Sequence, residues 1–528
     1  MRSGSRCGGS SRSGNLTTMA ASTQRILDAL RAWRPYRLLV VGDFMLDQAL
    51  EGDAERLSPD APVPVLAVRD PSATRDTAGG AGNVAVFSAA FGARVECIGV
   101  IGNDAEGRLL ASALANAGCG VSGLIKDEAR PTTTKRSIVG RAQHRHPQKM
   151  FRIDIESREP LAAAVHAQLL REIETRLDSV DVVCLEDYRK GVCTPELCTA
   201  LIEGCRRRGI PVLVDPAPIA QYARYANATA ITPNRTEAER ATGITVDPAT
   251  AVEGSRVMAE SLLRSLSLDA VVITLDRDGA LLLERNGSVQ HLPTRARQVY
   301  DVTGAGDMVL AALAGGLANG LALEDSVALA NVAAGLEVEV FGVRTFTIAE
   351  VRGQLLRETQ GAAGKYRSRE DLVEELAAHR SAGRRIVLTN GCFDVIHAGH
   401  IAYLRDAKAQ GDILVVGLNS DESVRALKGP TRPIYSAVER QEILGELTCI
   451  DYLTVFGERT AAELLRAVLP DIFVKGGDYS PEEIAESSLV KSLGIEMKIL
   501  SHRPGVSTTS VVERVRAECT IGERATSP

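Results

Sequence analysis

The chain has 528 residues, 45% of them hydrophobic and 24% charged, which suits two to four packed domains and excludes a disordered, fibrous or coiled-coil protein. Sixty-one Lys and Arg stand against 67 Asp and Glu, a net charge of -6, which argues against a broad nucleic-acid surface and leaves room for small anions. No uncharged apolar run reaches the roughly 18 residues of a membrane span.

The first 22 residues are rich in Ser and Gly, carry Arg2, Arg6 and Arg12, and precede any acid, the first being Asp28. They predict a disordered extension, taken here as 1–35, or a true start at Met19. A transit peptide is the alternative, and the absence of an apolar segment speaks against a secretory signal. The ten cysteines include no C-x-x-C pair. They read as reduced thiols in a reducing compartment.

From Arg37 onward short apolar runs alternate with helical patterns. Strands are predicted at Arg37–Val41, Val95–Val100, Val180–Leu185, Pro211–Val214, Ala230–Thr232 and Ala270–Leu275. Helices are predicted at Glu106–Ala117, Pro160–Leu177 and Pro195–Arg208. Such alternation argues for a parallel sheet covered on both faces. A polar, Gly-containing stretch, Arg357–Arg369, reads as a linker. A second alternation follows it: helix Glu370–His379, strand Arg385–Leu388, helix His400–Gln410, then strands Ile413–Gly417, Asp451–Val455 and Asp471–Val474. Two α/β domains result, at 36–352 and 370–520, joined by a linker over 353–369.

In the first domain Asp43 ends the first strand, at the edge where α/β sheets bind ligands. Gly79-Gly80-Ala81-Gly82-Asn83 precedes an apolar helix. Its glycines permit close backbone approach, and Asn83 offers a donor and an acceptor. Asn234 and Glu237 lie one helical turn apart. They either face one metal–phosphate cluster or form a capping box. In Asp301-Val-Thr-Gly-Ala-Gly-Asp307, a strand-like Gln298–Val302 runs into Gly304, Ala305 and Gly306, and an apolar helix starts at Met308. Backbone amides at a helix N-terminus make an anion site. Asp307, in the first turn, can accept a proton from an attacking hydroxyl or merely complement the helix dipole.

Together these motifs resemble the ribokinase-like carbohydrate kinases over roughly Arg37–Val351. The resemblance implies a three-layer α/β/α fold with a small β lid, ATP, and Mg²⁺ near Glu237. By it Asp307 is the base and Gly304, Ala305 and Gly306 form the anion hole. Asn234, Arg235, Thr236, Glu237 and Thr274 lie at the nucleotide. Asp43, Gly79, Gly80, Asn83, Arg152, Asp154, Asp187 and Lys190 hold the sugar.

In the second domain, Thr389-Asn-Gly-Cys-Phe-Asp-Val-Ile-His397-Ala-Gly-His400 follows a strand and opens a helix. Small residues between the two imidazoles admit a triphosphate, and both rings can donate to phosphate oxygens as charge builds toward pyrophosphate. No third ligand stands at zinc spacing. This resembles the nucleotidyltransferase superfamily with an H-x-G-H motif, implying a Rossmann-like fold and direct transfer without a covalent intermediate. His397 and His400 are then catalytic. Asn390, Gly391, Phe393, Asp394, Lys428, Lys475, Ser507, Thr508 and Thr509 bind the nucleotide. Taken singly, Lys428 and Lys475 read as solvated surface lysines.

The fusion resembles the bifunctional heptose 7-phosphate kinase / heptose 1-phosphate adenylyltransferase family over about Arg37–Arg516. Further matching pieces are Gly42 through Asp47, Ser58 through Val65, Arg152 through Asp154 and Asp187 through Gly191. The resemblance implies a cytoplasmic homodimer acting on ATP and heptose phosphates, with no nucleic-acid or membrane partner. Alternatives are a kinase for another sugar phosphate fused to a CTP-using transferase, and a non-catalytic sensor. The family's Lys after Asp215-Pro216 is Ala217 here, and Met308 replaces a common Thr. Arg141, Arg145 and Lys149 either supply the missing cation or are solvated loop charges.

Overall fold

Runs such as Leu38-Leu39-Val40-Val41 are buried on both faces, as interior parallel strands require. The computed structural model describes residues 22–500 apart from 69, 71–73, 142–146, 248–249, 294–302, 340–341, 361–364, 478–479 and 481–482. Gln298–Val302 with Asp301, Arg145, and Ser507, Thr508 and Thr509 lie outside the described residues. The chain divides into two units, Met1–Val351 and Arg352–Pro528.

The first unit is built on a nine-stranded sheet. Its order is Val289–Leu292, Ala280–Glu284, Ala270–Thr274, Ala230–Ile231, Val212–Asp215, Val182–Glu186, Arg37–Gly42, Arg94–Gly102 and Gly120–Asp127. Pairing is parallel except for the two strands at the Val289 edge. One face carries Leu39, Val41, Val183 and Leu185 against helices Ala163–Leu177, Pro195–Arg208 and Ala251–Leu266. Helices Ala81–Ala90, Ala305–Ala318 and Leu323–Glu337 form the other layer. The strand order reverses between Arg37–Gly42 and Val182–Glu186, and ligands bind at the carboxyl ends beside such a point.

A second sheet joins Pro64–Ala67, Phe44–Leu57, Thr134–Arg141 and Gln148–Ile155, with Thr74–Gly80 pairing the start of Phe44–Leu57. This is the small β lid.

The second unit is a five-stranded parallel sheet, ordered Tyr452–Phe456, Ile413–Asn419, Ile386–Gly391, Ile472–Gly476 and Glu496–Leu500. Its order reverses between Ile386–Gly391 and Ile472–Gly476, which makes it Rossmann-like.

Two boundaries differ from expectation. Residues 22–31 are helical rather than disordered. Ile26, Leu27 and Leu30 lie on one helix face and are buried. Arg25 donates to Asp325 at 2.6 and 2.9 Å. The described parts of 353–369 are not a free linker either. Helix Ile348–Gln360 covers its first half, because Val351 and Leu355 share a buried face. Arg367 is buried and ion-paired with Glu375. Among the described residues no helix is long and apolar enough to cross a membrane.

Candidate active sites

The helix Ala305–Ala318 starts on Gly304, whose φ of 87° no side-chain-bearing residue adopts readily. That places Asp307 in the first turn, buried. Both carboxylate oxygens are held: Asn83 Nδ2 donates to one and the Tyr188 hydroxyl to the other, each at 2.7 Å. Burial pushes the Asp307 pKa up to about 6, and the two donors restrain the rise. A carboxylate so placed is ionised near neutrality and can accept a proton.

Asp307 lines a cavity of about 240 Å³ together with Asp215, Asn234, Glu237, Thr274, Gly304 and Gly306. Asn234 caps helix Arg235–Thr242 in a full capping box with Glu237. The capping-box reading of that pair holds, and both residues also line the cavity. Amides at the Gly304 end and the helix dipole suit a phosphoryl group.

A second cavity, about 340 Å³, lies under the lid and is lined by Asp47, Arg75, Lys135, Lys149, Arg152 and Thr303, among others. Lys135 and Asp47 are close enough for their charges to act on Asp307. Gly79 backs the Asp47 carboxylate so closely that a Cβ would stand 2.4 Å from Oδ2. Cations beside one carboxylate suit a phosphorylated polyol.

Three carboxylates, of Glu186, Asp215 and Asp307, each place an oxygen within 4.8 Å of the others. Both Glu186 oxygens are buried without a hydrogen-bond partner. Burial, Glu237 and Asp307 raise Asp215, and burial raises Glu237. Oxygen donors of this kind fit a hard divalent cation.

In the second unit, strand Ile386–Gly391 delivers Asn390 and Gly391 to the sheet's reversal point, and His397 caps helix Ala398–Lys408. The His397 and His400 rings stack with centroids 3.9 Å apart, and Phe393 packs edge-on to His400 at 5.4 Å. Thr389 shares a 2.6 Å hydrogen bond with Tyr403, whose hydroxyl also donates to the Val474 carbonyl. This ties the two central strands together. Asn390 Oδ1 is buried without a partner. Lys475 stands one residue before the end of the adjacent strand Ile472–Gly476, 3.7 Å from Glu486, and burial lowers its pKa. Two adjacent imidazoles at a helix N-terminus, and a half-buried lysine near a strand's carboxyl end, can stabilise developing phosphate charge.

Residues 37–349 match the pfkB family carbohydrate kinase model, and 388–514 match the cytidylyltransferase-like model. A protein of Trichlorobacter lovleyi, "Bifunctional protein HldE", is 43% identical over 91% of this chain and 95% of its own length. The HldE protein of Wolinella succinogenes is 41% identical over 91% of this chain and 98% of its own. The chain belongs to the bifunctional HldE family. It is a bifunctional enzyme, a carbohydrate kinase joined to a nucleotidyltransferase, and HldE proteins pair heptose 7-phosphate kinase with heptose 1-phosphate adenylyltransferase. Among solved structures, an Arabidopsis thaliana ribokinase complexed with ribose and ATP aligns at 21% identity and TM-score 0.46, over 62% of this chain and 99% of that one.

Against this HldE framework the expected residues fall into groups. Asn83, Asn234, Glu237, Thr274, Gly304, Gly306, Asp187 and Asp307 meet at the first cavity or its base. Arg152 reaches the second and also pairs with Asp154, which does not line it. Asp43 is a correction. Its carboxylate lines neither cavity and accepts from the amides of Tyr188, Lys190 and Val192 at 2.9, 2.9 and 3.3 Å. Burial and Asp187 push it up to about 7. It shapes the loop, and Asp47 takes the place at the cavity.

Lys190 pairs with Glu156, and Arg235 with Glu239, so neither cation lines a cavity. Thr236, Ala305, Gly79 and Gly80 also stand outside the lining. Arg141 pairs with Glu51 instead of facing the cavity, whereas Lys149 does face it. Ala217 is a packed core position whose amide donates to Tyr225.

Asp394 holds Arg432 and accepts from the Ile434 and Tyr435 amides, so it anchors that loop. Burial opposes its charge, but Arg432 and those amides keep it below the ordinary value. Lys428 is exposed at the end of helix Asp421–Lys428. Sequence reasoning missed Tyr188, Glu186, Asp215 and Lys135 as site residues. Tyr188 and Glu186 flank Asp187, at a strand's carboxyl end, and that position was the signal available.

Proposed function

We propose that Asp307 and the His397–His400 pair carry the two half-reactions of ADP-heptose synthesis. The first is ATP-dependent phosphorylation of heptose 7-phosphate at C1, giving the 1,7-bisphosphate. The second is adenylyl transfer from ATP to heptose 1-phosphate, giving ADP-heptose and pyrophosphate. The observation that carries the reading is Asp307, buried, oriented at both oxygens, and set where the cavity lined by Asn234 and Glu237 nears a cation-lined one.

In the kinase reaction the C1 hydroxyl gives its proton to Asp307, whose ionised form Tyr188 and Asn83 favour. Amides at Gly304 and Gly306 receive the transferring phosphoryl group. Asp47 hydrogen-bonds sugar hydroxyls, and Arg152, Lys149, Lys135 and Arg75 hold the 7-phosphate. Glu237 and Asp215 would hold the Mg²⁺ carried with ATP, which would supply positive charge to neutralise the phosphates. In the second reaction His397 and His400 donate to phosphate oxygens as pyrophosphate departs, with Lys475 adding charge. Asn390, Gly391 and Phe393 line the nucleotide's approach.

The kinase part extends from the helix over 22–31 to about residue 352, and the transferase from 370 to about 520. The protein works in the cytoplasm as a homodimer, which light scattering on the purified chain tests. Incubation with ATP and each heptose phosphate should give the bisphosphate and ADP-heptose. Equal turnover of hexose phosphates, or preference for CTP, would refute the substrate assignment and favour the other sugar-phosphate reading.

A further inference from the structure

Asp43 lines neither cavity, yet it touches the supports of both donors to Asp307. Its backbone carbonyl accepts from the Ala81 amide at 3.2 Å, at the start of the helix that carries Asn83. Its buried carboxylate accepts from the amides of Tyr188, Lys190 and Val192. Those amides alternate along a turn in which Arg189 and Gly191 have φ of 58° and 97°. A residue with a side chain seldom adopts the left-handed region, so such a turn needs partners outside itself to hold it. Amides converging in this way form a nest for an anion, and here the anion is one of the protein's own side chains. Arg130 donates to the Lys190 carbonyl at 3.0 Å, and a Cβ on Gly191 would stand 2.8 Å from the Glu159 carbonyl oxygen. At the head of this turn the Tyr188 hydroxyl donates to Asp307 at 2.7 Å.

On the reading of Asp307 as the kinase base, we propose that Asp43 is a positioning residue: its carboxylate fixes the turn over residues 188–192 and so sets the Tyr188 hydroxyl on Asp307.

The test is the pH dependence of kcat/KM for phosphoryl transfer in Asp43→Ala and in Asp43→Ala/Tyr188→Phe, beside wild type and Tyr188→Phe. Direction separates the mechanisms. Losing a hydrogen-bond donor raises the Asp307 pKa, whereas losing a nearby negative charge lowers it. Burial and Asp187 push Asp43 itself up to about 7, so an acid limb of its own would vanish in Asp43→Ala. Lys135, Asp47, Glu186 and Asp215 also act on Asp307, and all four stay in place. The acid limb of Asp43→Ala should move up by about one to two pH units, the shift that removing the Tyr188 hydroxyl itself should give, and the double variant should show no further shift. A limb that stays, moves down or disappears overturns the proposal, as does an additive shift in the double variant.

Hydrogen–deuterium exchange on the full chain reads the anchoring without any activity. The amides of residues 188–192 should exchange about tenfold faster or more in Asp43→Ala, and unaltered exchange overturns the proposal. If Asp43→Ala does not fold, Asp43→Asn keeps an acceptor for the Tyr188 and Lys190 amides and should give a smaller shift of the limb in the same direction; an unmoved limb there overturns it too. A folded wild-type chain that turns over no heptose 7-phosphate would sink the kinase reading, and exchange alone then decides whether Asp43 holds the turn.

Discussion

Replacing Tyr188 by Phe removes one donor from Asp307 and keeps the ring that Lys135 covers at 5.0 Å. The lost bond, 2.7 Å to a carboxylate, favours the charged form. Such bonds contribute about 1.5–3 kcal/mol, and about 1.4 kcal/mol corresponds to a tenfold change in the acid constant. Asp307 should therefore move from about 6 to roughly 7–8. The sign follows from its role: a base works only when ionised, so its acid limb shifts toward higher pH. The assay is kcat/KM for phosphoryl transfer across about pH 4–10, a range spanning about two units either side of those values. At pH 7 the variant should be slower by about two- to tenfold, and near pH 9 it should approach wild type. Adenylyl transfer should be unaffected at every pH. An acid limb that stays in place while the rate falls uniformly would show that Tyr188 shapes the site without tuning Asp307, and the general-base argument would lose its support.

Arg152→Ala should raise KM for heptose 7-phosphate by about tenfold, the lower end for a charge-assisted contact because the side chain is half exposed, with kcat little changed; an unchanged KM removes Arg152 from the phosphate site. Arg440 is fully buried and donates to the Tyr435 and Cys392 carbonyls and to Asp421. Arg440→Ala should destabilise the second unit by about 3 kcal/mol in urea unfolding, and a loss under about 1 kcal/mol would contradict that role. With heptose 1-phosphate, pyrophosphate release should be faster from ATP than from CTP, and the reverse order would refute the adenylyl assignment.

Much of the sheet was legible because its strands are buried on both faces. Leu38 to Val41 and Val182 to Leu185 are continuous apolar runs, so the reading missed their ends by only one or two residues. The lid strands were not individually legible. Phe44–Leu57 turns polar after Leu46, since the lid has one solvated face and no core of its own to impose a pattern. The helix over 22–31 did carry a signal in Ile26, Leu27 and Leu30, but the Ser-rich stretch before it drew that boundary too late.

At the site, Asp307 and the two histidines were legible because glycine and small-residue spacing at a helix start is a local property. The choice between Asp43 and Asp47 was not. Both follow one strand, and only contacts with the loop 188–192, distant in sequence, show that amides occupy the first. Glu186 and Asp215 escaped notice for the same reason. Each is one acid at a strand end, and their meaning lies in strands that pair side by side, with Asp215 registered against Glu186.

The account's central claim is two separate chemistries in one chain, and a reciprocal pair of variants tests it. Asp307→Asn removes the proton acceptor and should cost phosphoryl transfer about 10²–10⁴-fold while leaving adenylyl transfer intact. His400→Ala should cost adenylyl transfer about 10²–10³-fold and leave phosphoryl transfer intact. Both half-reactions are measured on each purified full-length variant once circular dichroism shows it folded. The account predicts one activity lost and one kept in each protein; a folded Asp307→Asn chain that had also lost adenylyl transfer would contradict it.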